Sequence, residues 1–535
     1  MRYGFVIDQR KCIGCHACTV ACKEENQVPL GVNRTWVKYI EKGTFPDTRR
    51  YFSVMRCNHC DNAPCVTICP TVALYRRPDG IVDFDGDRCI GCKSCMQACP
   101  YDALYIDPET QTAAKCHYCA HRVEVALEPA CVIVCPVQAI IPGDLDDPNS
   151  RIARLMASQQ VSVRKPELGT QPKLFYLGAD EASLTPAMQE RGGRYAFAEG
   201  SRIPMPGRSN VAGAAPATSS GHEGVDLLRM ARTVYDVAHA ERPWGWKVST
   251  YLWTKSVAAG SLLVAALAVI GGLPSAGTLA GLAAPLISLI FLALTTGLLV
   301  LDLKRPERFL YLLFKPNGRS WLVWGGWILM VHGILAILWL GAGWAQSDRS
   351  LIILALPMLI TAAASAGYSA FLFGQAEGRD FWQSPLVLPD LLVSACLAGS
   401  ASILVTSRLL GVLVDFPRGP AVGIHTAAQL GDADLALASF FVLGASLVLH
   451  GLLVFAELVG SHSTEDARRA ARWLARGPCR GRFAGGVVFG GIALPLALLF
   501  IPWPSAWALG AVLALGGLWL WEDLWVRAGQ ALPLS

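Results

Sequence analysis

Apolar and polar positions divide the chain into two unlike parts. Most of the Asp, Asn and Lys residues precede about residue 205, whereas long apolar runs begin near residue 250. A helix of about 20 apolar residues is long enough to cross the ~30 Å hydrocarbon core of a bilayer. The pattern therefore predicts a polar domain followed by a domain that lies in lipid.

Eight apolar runs in the second part are long enough to span a membrane. They lie at about 250–271, 278–301, 320–344, 351–374, 386–410, 433–460, 484–502 and 505–525. Only the segment Pro-Trp-Pro at 502–504 separates the last two runs, which predicts a tight hairpin. A count of seven spans is the alternative.

Composition agrees with this division. The chain has 535 residues, of which 53% are hydrophobic and 16% are charged, and both values are unusual for a soluble globular protein. The formal net charge of +5 is too small to indicate a nucleic-acid partner. The N-terminal stretch MRYGFVIDQRKCIGC lacks a basic segment followed by an apolar core, so we expect no signal peptide.

A segment of low complexity separates the two parts. Residues 191–243 are rich in Gly, Ala, Pro and Ser, a composition typical of flexible linkers. We therefore expect a polar domain at 1–190, a flexible linker at 191–243 and a membrane domain at 244–535. A strand laid along a partner subunit is the alternative interpretation of the linker.

Sixteen of the eighteen cysteines form four groups in the polar domain. The groups are Cys12, Cys15, Cys18, Cys22; Cys57, Cys60, Cys65, Cys69; Cys89, Cys92, Cys95, Cys99; and Cys116, Cys119, Cys131, Cys135. The third group has the spacing C-x2-C-x2-C-x3-C-P, and the others depart from it at one position or one gap. Two-residue gaps allow one turn to place three thiolates around a cubane, while the fourth cysteine reaches a neighbouring cluster.

This spacing predicts four 4Fe-4S clusters. Disulfides are disfavoured because cytoplasmic thiols are kept reduced, and zinc prefers C-x2-C pairs that lie far apart in sequence. Four clusters in one domain form an electron path rather than a catalytic site. We find no Gly-rich nucleotide loop in the polar domain, so we expect no catalytic site for a small substrate there.

The cysteine pattern resembles the iron-sulfur electron-transfer subunit of the complex iron-sulfur molybdoenzymes, such as dimethyl sulfoxide and polysulfide reductases. The resemblance covers residues 1 to about 180 and includes the stretch that begins GDLDDPNSRIARLM. It implies four ligand sets, in which paired groups exchange their last cysteine. These are set I (Cys12, Cys15, Cys18, Cys135), set II (Cys22, Cys116, Cys119, Cys131), set III (Cys57, Cys60, Cys65, Cys99) and set IV (Cys69, Cys89, Cys92, Cys95).

Phrases in the second part resemble the eight-helix, NrfD-like membrane subunit of polysulfide reductase. They are LLVLDLKRPERF, SWLVWGGWILM and AGYSAFLFGQAEGRDFW. The chain is thus similar to a fusion of two subunits, an α+β ferredoxin-like four-cluster domain followed by an all-α polytopic membrane bundle of about eight transmembrane helices. The resemblance implies electron transfer between a separate molybdenum or tungsten bis-pterin catalytic subunit and membrane quinone, either menaquinone or ubiquinone.

Three residues are candidates for quinone binding. Asp302 ends the second run, Tyr368 lies in the fourth and Lys255 lies just inside the first. Ionisable residues within a membrane are functional candidates by default, and the resembled family places its quinone ligands at these helix ends. The alternatives are that Asp302 pairs with Lys304 or Arg305, that Tyr368 only packs, and that Lys255 snorkels to the interface.

The positive-inside rule predicts the orientation. With eight spans, loops 302–319, 375–385 and 461–482 and the C-terminal tail share one side and carry five, one, six and one Lys or Arg, against about two on the other. We therefore expect a multi-pass inner-membrane protein with a cytoplasmic iron-sulfur domain. This departs from relatives whose soluble subunits are exported.

Two other functions and one further cofactor compete with this interpretation. A proton pump would need ionisable groups across the whole membrane, whereas Lys255, Asp302, Glu377, Asp390 and Glu457 lie toward the cluster side and mainly Arg408 lies opposite. A non-redox anchor would not need four cluster motifs. His332 and His450 have depths that permit haem ligation, but membrane histidines also hydrogen-bond between helices and the resembled family is haem-free, so no haem is expected.

Overall fold

The computed structural model describes residues 1–43, 46–191, 231–237, 243–273, 277–411 and 427–535. Most of the predicted linker, residues 192–230, lies outside the described residues. The order of elements is a mixed α/β region followed by long helices, which confirms the predicted fold class.

Two four-stranded sheets frame the polar domain. The first has the strand order β8-β1-β10-β9, in which β1 and β10 are parallel and the other pairs antiparallel. The second has the order β11-β12-β2-β3, in which β11 and β12 are parallel. Their bounds are Tyr3–Asp8 (β1), Thr35–Lys42 (β2), Arg49–Arg56 (β3), Ile140–Asp144 (β8), Val161–Ser162 (β9), Leu174–Leu177 (β10), Gln189–Arg191 (β11) and Ala231–Tyr235 (β12).

Short helices and two hairpins alternate with the cysteine groups. The hairpins pair β4 (Leu74–Arg76) with β5 (Val82–Phe84) and β6 (Leu104–Ile106) with β7 (Ala113–Lys115). The helices are α1 (Ala17–Glu25), α2 (Pro64–Ile68), α3 (Ser94–Ala98), α4 (Ala120–Val123), α5 (Ala130–Ile133), α6 (Arg151–Ser158) and α7 (Glu181–Leu184). Cysteines of the four groups belong to the buried clusters between these elements.

The end of the predicted linker is part of the iron-sulfur domain. Strand β12 pairs antiparallel with β2, and Tyr235 packs edge-on against His16 at a ring distance of 5.0 Å. A flexible tether over all of residues 191–243 is therefore wrong for 231–235. The physical reason is that β2 offers an open edge, which a five-residue strand can fill.

Within the described residues, eight helices are long and apolar enough to cross a membrane by length and composition, as predicted. They are Trp246–Ile270, Leu279–Asp302, Trp321–Trp344, Asp348–Gly374, Val387–Leu409, Gly431–Val459, Arg482–Leu499 and Pro504–Gly529, called the first to eighth spans. Residues 500–503 connect the last two helices, so the count of seven is wrong.

The spans form two groups of four that meet at the first and fifth spans. The first span packs against the second, fourth, fifth and eighth, and the fifth also packs against the sixth. Gly260 and Gly399 cross with no room for a Cβ atom on either, since each would meet backbone of the other span. Small residues thus let these two central helices approach closely.

The iron-sulfur domain contacts one end of the bundle, called the cluster side below. Arg379 Nε donates to Gln97 Oε1 at 2.8 Å, and burial lowers the pKa of Arg379 to about 10. The C-terminal tail also joins the two domains, because Leu534 O accepts a hydrogen bond from Arg164 Nη2 at 2.9 Å. The two domains therefore share a buried, hydrogen-bonded interface.

Candidate iron-sulfur centres and membrane site

All eighteen cysteines are free thiols, and the four cysteines of set IV line one cavity. That cavity is bounded by Cys69, Cys89, Cys92 and Cys95. In the described part of the chain, no three His, Cys, Asp or Glu residues are grouped tightly enough to hold a single metal ion.

In each set, at least one cysteine interacts electrostatically with other thiols of the same set. Cys12 interacts electrostatically with Cys135 and Cys15, and Cys22 interacts with Cys116, Cys131 and Cys119. In the other half, Cys60 interacts with Cys57 and Cys99, and Cys92 with Cys69 and Cys89. The structure thus brings together members of each predicted set from different cysteine groups.

Interactions between sets give their order in space. Cys18 of set I interacts with Cys131 of set II. Cys57 of set III interacts with Cys116 of set II, and Cys95 of set IV interacts with Cys65 of set III. The four sets therefore form a line in the order I, II, III, IV.

Hydrogen-bond donors surround the cysteine sulfurs. The backbone nitrogens of Gly91 and Ala113 donate to Cys89 Sγ at 3.4 and 3.3 Å, and that of Ala139 donates to Cys135 Sγ at 3.3 Å. Gly91 has a φ of +68°, a left-handed conformation that glycine adopts without strain. Such donors stabilise thiolate ligands, which fits iron-sulfur centres.

Two buried cations lie against sets II and III. Arg56 Nη1 is 3.2 Å from Cys131 Sγ, and although burial lowers the pKa of Arg56, neighbouring thiols led by Cys131 raise it overall. Lys115 interacts with Cys57 and Cys65. Arg56 precedes Cys57 in the sequence but contacts Cys131, and Lys115 precedes Cys116 but interacts with Cys57 and Cys65. These two positive charges therefore lie between sets II and III, in the middle of the line.

The donor set fits 4Fe-4S clusters. Burial raises the pKa of Cys18 to about 11 and that of Cys92 to about 12. Thiols with such values remain protonated at neutral pH unless positive charge lies beside them, and bound iron supplies that charge. All of the grouped thiols except Cys15 are buried or half-buried. This many buried thiolates would be unfavourable without added positive charge.

Set IV lies against the membrane domain. The backbone oxygens of three of its cysteines accept hydrogen bonds from that domain. Cys69 O accepts from Asn317 Nδ2 at 2.7 Å, Cys89 O from Arg308 Nη1 at 3.0 Å and Cys92 O from Trp244 Nε1 at 3.2 Å. Set IV, which is the end of the line nearest the membrane domain, is therefore fixed on the cluster side of the bundle.

Asp302 forms an ion pair with the iron-sulfur domain. Its Oδ2 is 2.8 Å from Nζ of Lys93, the residue after Cys92. Asp302 therefore pairs with Lys93 and not with Lys304 or Arg305, and Arg305 instead bonds Glu307 and the backbone oxygen of Thr110. The packing of the two domains against each other decides the ion-pair partner of Asp302. That partner therefore cannot be identified from the residues next to Asp302 in the sequence.

Lys255 and Tyr368 come together inside the bundle. Lys255 Nζ donates to Ala366 O and Ser369 Oγ, both at 2.8 Å, and lies 4.9 Å from the centre of the Tyr368 ring. Lys255 is 1% exposed, so the alternative that it snorkels to the interface is wrong. Tyr368 fills a space opposite Gly325, where a Cβ atom would overlap its ring.

Asp302 lies nearer the cluster side than these two residues. Lys255 is nine residues inside the first span, a depth of about 13 Å at 1.5 Å per residue. Tyr251, which lies one helical turn nearer the cluster side than Lys255, interacts electrostatically with both Tyr368 and Asp302. Asp302 is thus the candidate that contacts the iron-sulfur domain, and Tyr251 interacts with both Asp302 and Tyr368.

The two membrane histidines have different neighbours. His332 Nε2 lies 3.1 Å from Ser288 Oγ, whereas His450 Nδ1 lies 2.9 Å from Asp390 Oδ1. The third span packs against the second and fourth, and the sixth packs mainly against the fifth. The two histidines thus hydrogen-bond to different partners, on spans that belong to different halves of the bundle.

Sequence reasoning missed Glu522, a buried acid in the eighth span. The predicted run ends at 525, three residues after Glu522, whereas the span continues to Gly529. Glu522 interacts electrostatically with Lys255 and Asp390. An acid on a tryptophan-rich helix end, WLWEDLW, was the signal that could have identified it.

Comparison with protein families assigns both parts of the chain. A model described as "Polysulphide reductase, NrfD" matches residues 236–530, more than half of the chain. The protein belongs to this NrfD family. Models of a 4Fe-4S dicluster domain and a 4Fe-4S binding domain match residues 48–145 and 10–26. It is therefore a multi-pass membrane protein that joins 4Fe-4S domains to an NrfD domain.

Curated relatives match the iron-sulfur domain. The B subunit of tetrathionate reductase from Salmonella typhimurium is 50% identical over 191 residues, which are 35% of this chain and 76% of that protein. The B polypeptide of polysulfide reductase from Wolinella succinogenes is 45% identical over 179 residues, or 32% and 93%. The arsenate respiratory reductase iron-sulfur subunit ArrB of Shewanella is 36% identical over 227 residues, or 33% and 96%. These relatives are components of reductases, and the third is an iron-sulfur subunit.

Proposed function

We propose that this chain relays electrons through four 4Fe-4S clusters between a separate molybdenum or tungsten bis-pterin catalytic subunit and quinone in the membrane. The line of sets I to IV, which ends against the NrfD domain, is the observation that carries the proposal. When bound, the clusters supply one-electron transfer. The chain's residues hold them in line and provide the quinone pocket.

The quinone pocket that we propose is built from Lys255, Tyr368 and Asp302. The Lys255 amine lies 4.9 Å from the centre of the Tyr368 ring, at a depth that quinone in the bilayer can reach, and both the amine and the Tyr368 hydroxyl can donate to a quinone oxygen. Asp302 is paired with Lys93, beside set IV, so it lies on the side from which electrons arrive. Buried charged and polar groups at this depth are typical of such functional sites.

One assay tests this function directly. The full chain in lipid nanodiscs is reduced with a limited amount of dithionite and mixed anaerobically with decyl-ubiquinone or menadione. Quinone-dependent recovery of the oxidised cluster absorbance at a rate that rises with quinone concentration supports the proposal. Absence of recovery with both quinones would contradict it.

The outer end of the line offers a surface for the catalytic partner. Cys15 of set I is exposed, and exposed apolar side chains surround it on the same loop and on the adjoining helices α1 and α5. We call these residues, Ile13, Val20, Ile133 and Val134, the set I surface. An exposed apolar patch at a redox terminus fits the docking of a second subunit.

Replacing Ile133 with glutamate is expected to release the catalytic partner. A charge in the middle of a buried apolar contact is unfavourable, so the large subunit should no longer co-purify from membranes. Tyr75→Glu, at another exposed site of the same domain, is the matched control and should retain it. Iron content should stay near four clusters per chain in both variants, and retention of the partner by Ile133→Glu would exclude this surface.

We also propose that the iron-sulfur domain faces the cytoplasm, on the charge asymmetry of the loops. An impermeant maleimide added to whole cells should label Gln346→Cys, in the exposed loop between the third and fourth spans. Glu307→Cys, on the cluster side, should be labelled only after the cells are broken. The reverse pattern would place the clusters in the periplasm.

The proton-pumping alternative gains less support from the described residues. Asp432, a buried acid on the side opposite the clusters, accepts hydrogen bonds from the backbone nitrogens of Thr278 and Leu279. It therefore caps the start of the second span instead of extending a proton path. The electron-relay function remains our proposal.

A further inference from the structure

Three carboxyl groups line one cavity between the first span and the second half of the bundle. They are Asp390 of the fifth span, Glu457 of the sixth and Glu522 of the eighth. The cavity has a volume of about 20 Å³, and its other walls are apolar and aromatic. A cavity of this size has room for about one water molecule, for which the three carboxyl groups are the polar partners.

Two of these acids are buried and have at least one unsatisfied oxygen. Glu522 is 4% exposed, and within the described residues neither of its oxygens has a hydrogen-bond partner of good geometry. Glu457 is 7% exposed, and its Oε1 is likewise unpartnered. Buried carboxyl oxygens that face a common cavity without partners indicate a bridging water or an exchanging proton.

The acids connect the proposed quinone pocket with the cluster side. At the inner end, Glu522 interacts electrostatically with Lys255. Asp390 interacts with both Glu522 and Glu457. At the outer end, Glu457 lies two residues before the end of the sixth span, where Ser384 Oγ donates to its Oε2 at 2.6 Å.

Neighbouring spans supply the remaining groups that face these acids. His450 Nδ1 and Trp521 Nε1 lie 2.9 and 3.1 Å from the two oxygens of Asp390. Tyr251 of the first span interacts with Glu522. Asp390 is thus held in place on both oxygens, whereas Glu522 and Glu457 keep oxygens available for exchange.

We propose that Glu522, Asp390 and Glu457, with one bridging water, conduct protons between the cluster side and the quinone pocket. The inference rests on the proposed quinone reaction. Reduction of one quinone to quinol takes two electrons from the iron-sulfur side and two protons. A proton accepted by the free oxygen of Glu457 passes through the bridging water to a free oxygen of Glu522 and from there to the pocket, while Asp390, held on both oxygens, keeps its charge beside the path, so all three residues end unchanged.

The test uses the reoxidation assay with the full chain in nanodiscs and decyl-ubiquinone or menadione as the probe. Glu522→Gln is expected to slow quinone-dependent reoxidation about fivefold, with unchanged cluster spectra and an unchanged apparent affinity for quinone. Added formate should restore part of the rate, because a small weak acid can replace a missing proton carrier. Glu522→Asp should retain most of the rate.

Asp432→Asn is the matched control, because Asp432 is a buried acid on the opposite side, and its rate should equal that of the unaltered chain. Glu457→Gln serves as a second variant if Glu522→Gln does not assemble. A normal rate in Glu522→Gln, or a slow rate that formate leaves unchanged, would overturn the proton path while the quinone reaction stands. Failure of the unaltered chain to react with either quinone would overturn the proposed function itself.

Discussion

Replacing Lys255 with methionine is expected to slow quinone-dependent reoxidation about a hundredfold. The amine lies against the face of the Tyr368 ring, and it is held by Ala366 O and Ser369 Oγ. Loss of a preorganised donor to a developing oxygen charge typically lowers a rate by about 10² to 10³. Methionine fills a similar volume, so the packing of the first span should persist.

The measurement is the reoxidation rate of the reduced chain at saturating quinone, alongside cluster spectra and thermal stability. Lys247→Met is the matched control, because Lys247 lies on the same span at the membrane surface and donates to Leu301 O. It should react at the rate of the unaltered chain. A normal rate in assembled Lys255→Met would exclude Lys255 from the quinone site.

The cluster region could be predicted from sequence because its chemistry depends on local spacing. Turns such as that from Cys89 to Cys95 place several thiols on one side of a loop whatever the rest of the fold does. The order of the sets, however, depends on contacts such as Cys57 with Cys116, which are far apart in sequence. Sequence spacing contains no information on those contacts.

The membrane region was predictable in outline but not in its contacts. Hydropathy identifies eight spans, because length and apolarity alone allow a helix to cross a bilayer. It does not say which face of a helix is buried, so the sequence leaves open the alternative that Lys255 snorkels, although the bundle encloses it. The partner of Asp302 was missed for a related reason, since Lys93 belongs to the other domain.

The linker shows the same limit on a smaller scale. Strand β12 has five residues and lies in a region of low complexity, where composition favours a flexible chain. Its stability comes from pairing with β2 and from the contact of Tyr235 with His16. Such tertiary pairing overrides local composition.

Asp302→Asn is expected to slow quinone-dependent reoxidation at least tenfold, a barrier increase of about 1.4 kcal/mol. The change keeps the shape of the side chain but removes its charge, so Lys93 loses its ion-pair partner and the cluster-side end of the pocket loses a carboxylate. Because set IV is also held by Asn317, Arg308 and Trp244, cluster spectra and partner binding should remain normal.

The double variant Lys93→Met with Asp302→Asn separates the two roles that this ion pair permits. If Asp302 acted only by neutralising Lys93, removing both charges would restore the rate, because a buried charge would no longer be left alone. We expect the double variant to remain slow, while Lys93→Met alone should lose less than Asp302→Asn, since it keeps the carboxylate beside the pocket. A restored rate in the double variant would make the pair a structural link between the domains, and a normal rate in assembled Asp302→Asn would remove Asp302 from the site.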